Sequence, residues 1–380
     1  MKVRLGDYIQ EYSVKNKSNE NIPVYSVTNT QGFCMDYFGK EVASKDKTTY
    51  KIVPRGCFAY NPSRINVGSV DWQRHEDRVI VSPLYNVFSV SDSLNKQYLY
   101  YYLKSNVTLH YIKAAATGSV RDNLKLAMLY EFSINLPSIE EQRRIVSTLD
   151  KLQSIITHRK QQLEKLDLLI KAQFVEMFGD TKINSYNFPV HKLCDLCTVG
   201  SSKRIYQEEQ SNSGVPFLRI SNLVELIDND RFESDLFIPE EKYSELQKNG
   251  LVPKENDILV TSRGTLGKCY IIQKNDRFYF QDGMISWLYK LDNNITALYL
   301  AQLFATKDIK IQIQNSQSGS TVAYLSIAML KKLNIVVPPI KLQTQFAAFV
   351  AQVDKSKAAV QKALDEAQLL FDSLMQEYFG

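Results

Sequence analysis

The stretch LPSIEEQ, residues 136–142, returns in this chain as VPPIKLQ, residues 337–343, and each version opens a long segment of regularly spaced apolar residues. Pro137 and Pro338 lie 201 positions apart, and the same offset relates matched residues without a gap from Tyr98 to the end of the chain. The matched runs include Ala127-Met128-Leu129 with Ala328-Met329-Leu330 and Phe178-Gly179 with Phe379-Gly380. A period this long is typical of duplicated domains, whereas solenoid repeats span about 20 to 50 residues.

The match between the two copies is looser toward the start of each. Arg64 and Gly68 correspond to Arg263 and Gly267, which lie 199 positions further on. Asn29 corresponds to Asn222, at an offset of 193. We infer that the two copies keep one framework and that their loops have diverged.

The segment after each repeated stretch has apolar residues at alternating spacings of three and four, the pattern of a helix that packs along one seam. The first seam runs through Leu149, Leu152, Ile156, Leu163, Leu166, Ile170 and Met177, and the second through Val350, Val353, Val360, Leu364, Ala367, Phe371, Leu374 and Tyr378. Lys357 interrupts the second seam where the first has Ile156. Each segment closes on Phe-Gly, which predicts a helix end with glycine at the C-cap. Because an isolated seam is unstable, we expect two long helices that pack on each other.

A mixed region precedes each helix. Short runs such as Val79-Ile80-Val81 and Ile258-Leu259-Val260 predict strands, and an aromatic-rich helix is predicted near residues 96–116 and again near 296–314. We therefore predict an α+β fold with an internal pseudo-two-fold repeat. Its parts are a mixed domain over 1–136, a helix over 137–179, a second mixed domain over 180–337 and a second helix over 338–380.

Composition limits the class of protein. The 380 residues, 44% of them hydrophobic, suffice for two buried cores, and no stretch resembles a membrane span or a signal peptide. We expect a soluble, cytoplasmic protein without membrane association. The net charge is +5, and because the acidic and basic residues of the two long helices nearly cancel, the surplus lies in the mixed domains. A basic surplus there favours nucleic acid as a partner, although a merely solvated basic surface stays open as an alternative.

The motifs of common enzyme sites are absent from the sequence. There is no phosphate-binding loop, no dinucleotide-binding glycine fingerprint, no zinc-protease helix and no nucleophile elbow, so we predict no catalytic residues, no metal and no cofactor. Cys194 and Cys197 form the one close cysteine pair, and we interpret them as buried thiols. The run Tyr60-Asn61-Pro62-Ser63 resembles a methyltransferase motif in part, but it lacks the second proline and the closing aromatic residue, so we interpret Asn-Pro as the start of a turn.

Two duplicated elements are candidates for DNA contacts. Arg64 and Arg263 each precede a glycine, Gly68 or Gly267, that permits close approach of another backbone, and arginine can bond guanine or clamp phosphate. A surface arginine paired with a nearby acid remains the alternative. The Gly-Ser loops open helices whose positive ends suit a phosphate oxygen, although capping alone also explains them. The predicted DNA-binding residues are Arg64, Gly118, Ser119, Arg121, Lys203, Arg204, Arg219, Arg263, Lys268, Gly319, Ser320 and Thr321.

The duplicated Leu/Val-Pro-x-Ile-x-x-Gln helix start, the run from Tyr60 to Ser69 and the Gly-Ser loops together resemble the specificity subunit of a type I restriction-modification system. The resemblance covers essentially the whole chain. It departs from the pattern at Ser262-Arg263-Gly264-Thr265, which replaces the Asn-Pro-Ser-Arg-Ile form, and at Lys357. It implies two target-recognition domains, over 1–136 and 180–337, that read the halves of a split, asymmetric site on double-stranded DNA. It also implies that the helices at 137–179 and 338–380 pair as an antiparallel coiled coil that separates the two domains.

The same resemblance implies partners that carry the chemistry. Two copies of an adenine methyltransferase subunit, which would bind S-adenosylmethionine, and additional restriction subunits are expected on this chain, which itself would be non-catalytic. Two alternatives remain at this point. One is a coiled-coil adaptor that joins proteins without reading DNA, and the other is a self-contained restriction or methylation enzyme, which the missing cofactor and metal motifs disfavour.

Overall fold

The structure, a computed structural model, describes residues 1–35, 46–74, 76–116, 123–317 and 323–380. It divides into two compact units. The first unit comprises Met1–Gln162 with Val360–Gly380, and the second comprises Leu163–Ala359. Each unit therefore holds one mixed domain, the beginning of the long helix that follows this domain and the end of the other long helix.

The first mixed domain is built on a four-stranded antiparallel sheet with helices packed against it. Its strands are β1 Lys2–Arg4, β2 Ile9–Glu11, β3 Ser26–Thr28, β4 Gly32–Cys34, β5 Lys51–Pro54, β6 Phe58–Tyr60, β7 Val70–Trp72, β8 Arg78–Val81, β9 Asn86–Val90 and β10 Ser133–Asn135. Its helices are α1 Lys96–Lys104, α2 Asn106–Ala116 and α3 Leu126–Tyr130, and α4 Ile139–Phe178 is the long helix that follows. The sheet order is β2-β9-β6-β7, while β1 pairs with β10, β3 with β4 and β5 with β8.

The second mixed domain repeats this framework and adds helices of its own. Its strands are β11 Val190–Lys192, β12 Thr198–Gly200, β13 Val215–Leu218, β14 Phe237–Ile238, β15 Ile258–Thr261, β16 Cys269–Ile271, β17 Tyr279–Phe280, β18 Ile285–Tyr289 and β19 Asn334–Val336. Its helices are α5 Leu193–Leu196, α6 Ile220–Asn229, α7 Glu240–Lys248, α8 Ala297–Phe304, α9 Lys307–Asn315 and α10 Ile327–Lys331, followed by the long helix α11 Ile340–Phe379.

The sheets show which parts of the repeat are conserved between the two domains. The order β12-β18-β15-β16 in the second domain matches β2-β9-β6-β7 in the first, and the pair β11-β19 matches β1-β10. In both domains this last pair joins the entering strand to the strand that leads into the long helix. The three-stranded sheet β14-β13-β17 and the helices α6 and α7 are elaborations of the second copy. The predicted α+β tandem repeat is confirmed.

The two long helices pack together, as the apolar seams predict. In the second unit the end of α4 lies in the same core as the beginning of α11, with Phe174 and Phe178 against Phe346 at ring distances of 5.5 Å. In the first unit the beginning of α4, with Ile145 and Leu149, lies in the core that also takes the end of α11. In each unit the beginning of one long helix packs against the end of the other, which is the arrangement of an antiparallel pair.

The last phenylalanine of each long helix packs on the mixed domain of the other copy. Phe178 of α4 lies 4.8 Å from Tyr299 in the second domain, and Phe379 of α11 lies 5.0 Å from Tyr98 in the first. Both helices end at these residues, and Gly179 adopts a φ of 70° directly after the first of them. The seams read from the sequence omit these buried aromatic residues, which contact a mixed domain in addition to the helix pair.

Lys357, which interrupts the second seam, is paired within the second unit. Its Nζ lies 2.8 Å from Oδ1 of Asp167 on α4. Burial raises the pKa of the neighbouring Asp354, and Lys357 opposes that rise. The seam thus carries a partly exposed ion pair at this level, and a polar contact between two helices favours one register over others.

A buried glutamine fastens each mixed domain to the start of its own long helix. Gln142 on α4 and Gln343 on α11 are both fully buried. Gln142 accepts a hydrogen bond from the backbone N–H of Asn95 at 2.8 Å and donates to the carbonyls of Ser93 and Pro137. Gln343 repeats the arrangement with Thr296, Asn294 and Pro338. Both amides bond the backbone groups of the turn that precedes α1 or α8, and these buried hydrogen bonds hold each domain rigidly to its long helix.

Candidate nucleic-acid interface

Arg64 stands on a tight turn at the end of β6. The N–H groups of Arg64 and Ile65 donate to the carbonyl of Asn61, and the turn closes at Gly68, whose φ of 86° a residue with a side chain rarely adopts. Asn61 therefore starts a turn, as the sequence predicts. The Arg64 side chain is exposed and has no hydrogen bond or ion pair with any residue that the structure describes.

Arg263 stands at the corresponding place, directly after β15. Gly264 and Gly267 have φ values of 68° and 77°, and the N–H of Gly267 donates to the carbonyl of Thr261 to close the turn. The guanidinium of Arg263 lies over the ring of Tyr324, 5.4 Å from its centroid. Within the described ranges no carboxylate pairs with it. The two arginines thus share a position on the framework but have different neighbours.

The segment that follows each Gly-Ser sequence is bonded to the arginine turn of its own domain. The N–H of Leu124 donates to the carbonyl of Pro62 at 3.1 Å, and the N–H of Leu325 donates to the carbonyl of Ser262 at 3.0 Å. In both domains the described segment after the Gly-Ser sequence is therefore attached to the arginine turn. The Gly-Ser residues themselves lie outside the described part of the chain: Gly118, Ser119, Arg121, Gly319, Ser320 and Thr321.

The other predicted basic residues of the second domain are all paired with carboxylates. Lys268 bonds both oxygens of Asp228 on α6, at 2.6 and 2.7 Å. The remaining pairs are Arg204 with Asp282 at 2.9 Å, Lys203 with Glu245 at 3.9 Å, and Arg219 with Asp235. Pairing with an acid was the alternative weighed for Arg64 and Arg263, and it describes these four residues instead. A paired cation must first lose its partner before it contacts phosphate, so it contributes less to DNA affinity.

Only one of the two close cysteines is a buried thiol, whereas the sequence predicts that both are buried. Cys197 is buried and burial raises its pKa to about 12, but Cys194 is exposed on the short helix α5. Cys197 follows the last residue of α5 and has an extended backbone, so its thiol lies in the core while that of Cys194 stays exposed, which corrects the interpretation of Cys194. Across the described ranges no group of three or more His, Cys, Asp or Glu side chains could hold a metal ion. No helix in the described ranges is long and apolar enough to cross a membrane.

The sequence matches Asn29 with Asn222 as part of the framework that both copies share. The structure corrects this, because the two side chains have different roles. Asn222, its counterpart, is buried and caps α6 by accepting from the N–H of Arg219 at 2.9 Å. Asn29 is exposed at the turn between β3 and β4, beside the Arg64 turn. In the sequence, the change of offset from 193 at Asn29 to 199 at Arg64 shows that the chain between these two positions differs in length between the copies.

Comparison with known proteins gives one consistent answer. The family model of the type I restriction modification DNA specificity domain matches residues 3–166 and 187–368. A putative type I restriction enzyme specificity subunit of Haemophilus influenzae is 26% identical over 298 residues, covering 77% of this chain and 72% of the relative. The MjaIX specificity subunit of Methanocaldococcus jannaschii is 26% identical over 315 residues, covering 75% and 68%.

Two solved structures share the fold over the whole chain. One chain comes from a study of complex assembly and conformational transition of a type I restriction-modification system, with a TM-score of 0.58, 16% identity and 97% of that chain covered. The other is a specificity subunit from M. genitalium, with a TM-score of 0.55, 16% identity and 96% covered. At this identity the likeness concerns the fold.

Proposed function

Since the chain belongs to the family of type I restriction-modification DNA specificity proteins, with recognition of a DNA sequence as its function, we propose that its two domains read the two halves of one split, asymmetric target. The observation that carries the proposal is the pair of arginine turns, which occupy one position on a repeated framework among different side chains. Two identical surfaces would read identical half-sites. Different surroundings for Arg64 and Arg263 therefore favour an asymmetric bipartite site.

Arg64 and Arg263 supply the direct contacts in this proposal, because they are the predicted arginines that no described carboxylate neutralises. An unpaired guanidinium loses little by transfer to a guanine edge or a phosphate. The Gly-Ser residues, which carry backbone N–H donors, remain proposed phosphate contacts. Lys203, Arg204, Arg219 and Lys268 would add attraction that does not depend on the sequence.

We further propose that the chain is non-catalytic and holds two methyltransferase subunits, which bind S-adenosylmethionine, together with restriction subunits. The repeated framework supports two copies of one partner, since each unit offers the beginning of one long helix and the end of the other. The relatives are specificity subunits of type I restriction enzymes, which supports a role for this chain in recognition rather than in the reaction. Such a complex would act in the cytoplasm, where the DNA is.

The helix pair is proposed to act as a ruler between the two half-sites. Each domain is fixed to the start of one helix by Gln142 or Gln343 and to the end of the other by Phe379 or Phe178. A domain held at two points cannot slide along the pair. The length of the pair would then set the spacer of the DNA target.

Exchange of the first domain tests the proposal. Residues 1–135 would be replaced by the matching region of another specificity subunit, and the methylated motif would be determined by sequencing modified adenines in a host that carries the complex. We expect one half of the motif to change while the other half and the spacer stay the same. The unexchanged complex is the control. A change in both halves would show that the domains do not read DNA independently, and the absence of any motif would show that the chain is an adaptor.

A further inference from the structure

The first domain holds a polar pocket directly beside Arg64. The pocket has a volume of about 180 Å³ and lies between the Arg64 turn and the turn that joins β3 to β4. Thr28, Ser69 and Tyr85, all largely buried, form part of its lining, and Asn29, Asn61 and Arg64 stand at it with exposed or half-exposed side chains. The lining is therefore rich in groups that bond polar edges.

The hairpin that carries Asn29 is held firmly in place. Buried Asp71 on β7 accepts hydrogen bonds from the N–H of Phe33 at 3.2 Å and the N–H of Trp72 at 2.8 Å, and it pairs with Arg74 at 2.6 Å. From the other side Lys104 donates to the backbone carbonyl of Asn29 at 2.7 Å. A turn whose backbone is held in this way loses little backbone freedom when it binds a ligand.

The Asn29 turn and the Arg64 turn touch at a glycine. A Cβ on Gly68 would lie 2.8 Å from Oδ1 of Asn29, closer than real Cβ contacts. Glycine at this position therefore lets the Asn29 amide approach the backbone of the Arg64 turn. Asn29 and Arg64 both line the pocket.

Three groups at the pocket have hydrogen-bonding capacity that no other described residue uses. Asn61 accepts from the backbone and hydroxyl of Ser63 through Oδ1, which leaves its Nδ2 donors unused. The Asn29 amide and the Arg64 guanidinium make no hydrogen bond within the part of the chain that the structure describes. Asparagine bonds adenine through a donor and an acceptor, and arginine bonds guanine through two donors.

We propose that this pocket receives the edge of a purine in the first half-site, with Asn29 and Asn61 as specificity-determining residues beside Arg64. This inference rests on the proposed function. It goes beyond it because it assigns base reading to two asparagines and to one domain only. A phosphate would need no amide acceptor, whereas Asn29 presents a donor and an acceptor side by side.

The described residues of the second domain do not repeat the two asparagines of this pocket. The amide of Asn222, the counterpart of Asn29, accepts from the N–H of Arg219 at the start of α6 and donates to the carbonyl of Glu233. In the matched strands Asn61 corresponds to Thr261, which is fully buried and whose hydroxyl donates to the carbonyl of Thr265 and accepts from the N–H of Lys268. Changes at Asn29 should therefore affect only the half-site read by the first domain. The untouched half-site serves as an internal control.

The test uses the full chain in complex with its methyltransferase partners. Duplexes bound by the complex would be selected from a random pool, for the unaltered protein and for Asn29→Ala, Asn29→Asp and Asn61→Ala. We expect Asn29→Ala to weaken binding roughly 5- to 100-fold and to relax one base pair of one half-site. Asn29→Asp keeps the size but removes the donors, so the preference at that base pair should move toward cytosine. Gln10→Ala removes an exposed amide on β2 of the same domain and should leave the selected motif unchanged.

The outcomes distinguish a base contact from a phosphate contact and from no contact. A changed preference at one position, with the other half-site intact and the unfolding midpoint preserved, supports the purine pocket. Equal weakening on all duplexes indicates a phosphate contact, and an unchanged motif in all three variants indicates no contact, so either result overturns the inference while the proposed function stands. An unaltered complex that selects no motif overturns the proposed function itself.

Discussion

Lengthening both long helices by one heptad would test whether the helix pair fixes the spacer of the DNA target. Residues 157–163 would be duplicated after Leu163, and residues 358–364 after Leu364, so both seams stay in phase. Both helices have 40 residues, and seven more add about 10 Å to each at about 1.5 Å per residue. The insertions fall next to the boundaries of the two compact units, which leaves the cores around Phe178 and Phe379 unchanged.

This added length has a direct equivalent in DNA. About 10 Å corresponds to roughly three base pairs, which also turn the second half-site by about 100° around the duplex. We expect the lengthened complex either to recognise the same half-sites with a longer spacer or to lose bipartite binding. Binding would be measured on duplexes whose spacers run from the original length to five base pairs more. A variant with the heptad in only one helix is the control, since it cannot keep the pair in register. Undiminished binding at the original spacing by the double insertion would refute the ruler and leave the helices as a docking surface.

Three further changes test the parts of this arrangement. Arg263→Ala should cost about 1–3 kcal/mol of binding and relax one position of the second half-site if the contact is to a base; uniform weakening with a flatter salt dependence would identify a phosphate contact instead. Gln343→Ala should lower the free energy of unfolding by about 2–4 kcal/mol, because it leaves buried backbone groups unsatisfied. A loss below about 0.5 kcal/mol in denaturant titration would show that Gln343 does not fasten the second domain to α11. Lys357→Glu, which faces Asp167, should cost on the order of 1 kcal/mol, and adding Asp167→Lys should recover it; failure to recover in a double-mutant cycle would show that the ion pair does not set the register.

Much of the architecture follows from the sequence because it depends on order along the chain. The offset of 201 residues predicts the repeat, the spacing of three and four predicts α4 and α11, and Phe-Gly predicts where both helices end. Backbone preferences and apolar periodicity act locally, so a single sequence displays them. The position of the two arginines on equivalent turns is visible for the same reason.

Only the tertiary structure decides which candidate residues are exposed and which are paired with another side chain. The sequence does not distinguish Lys268, neutralised by Asp228 from forty positions away, from Arg64, which keeps its charge without a described partner. It matches Asn29 with Asn222, although one is exposed at a pocket and the other caps a helix. The docking of Phe379 on Tyr98 joins the last helix to the first domain across most of the chain. Charge neutralisation, burial and packing depend on which distant residues become neighbours in space, and periodicity along the chain carries no record of that.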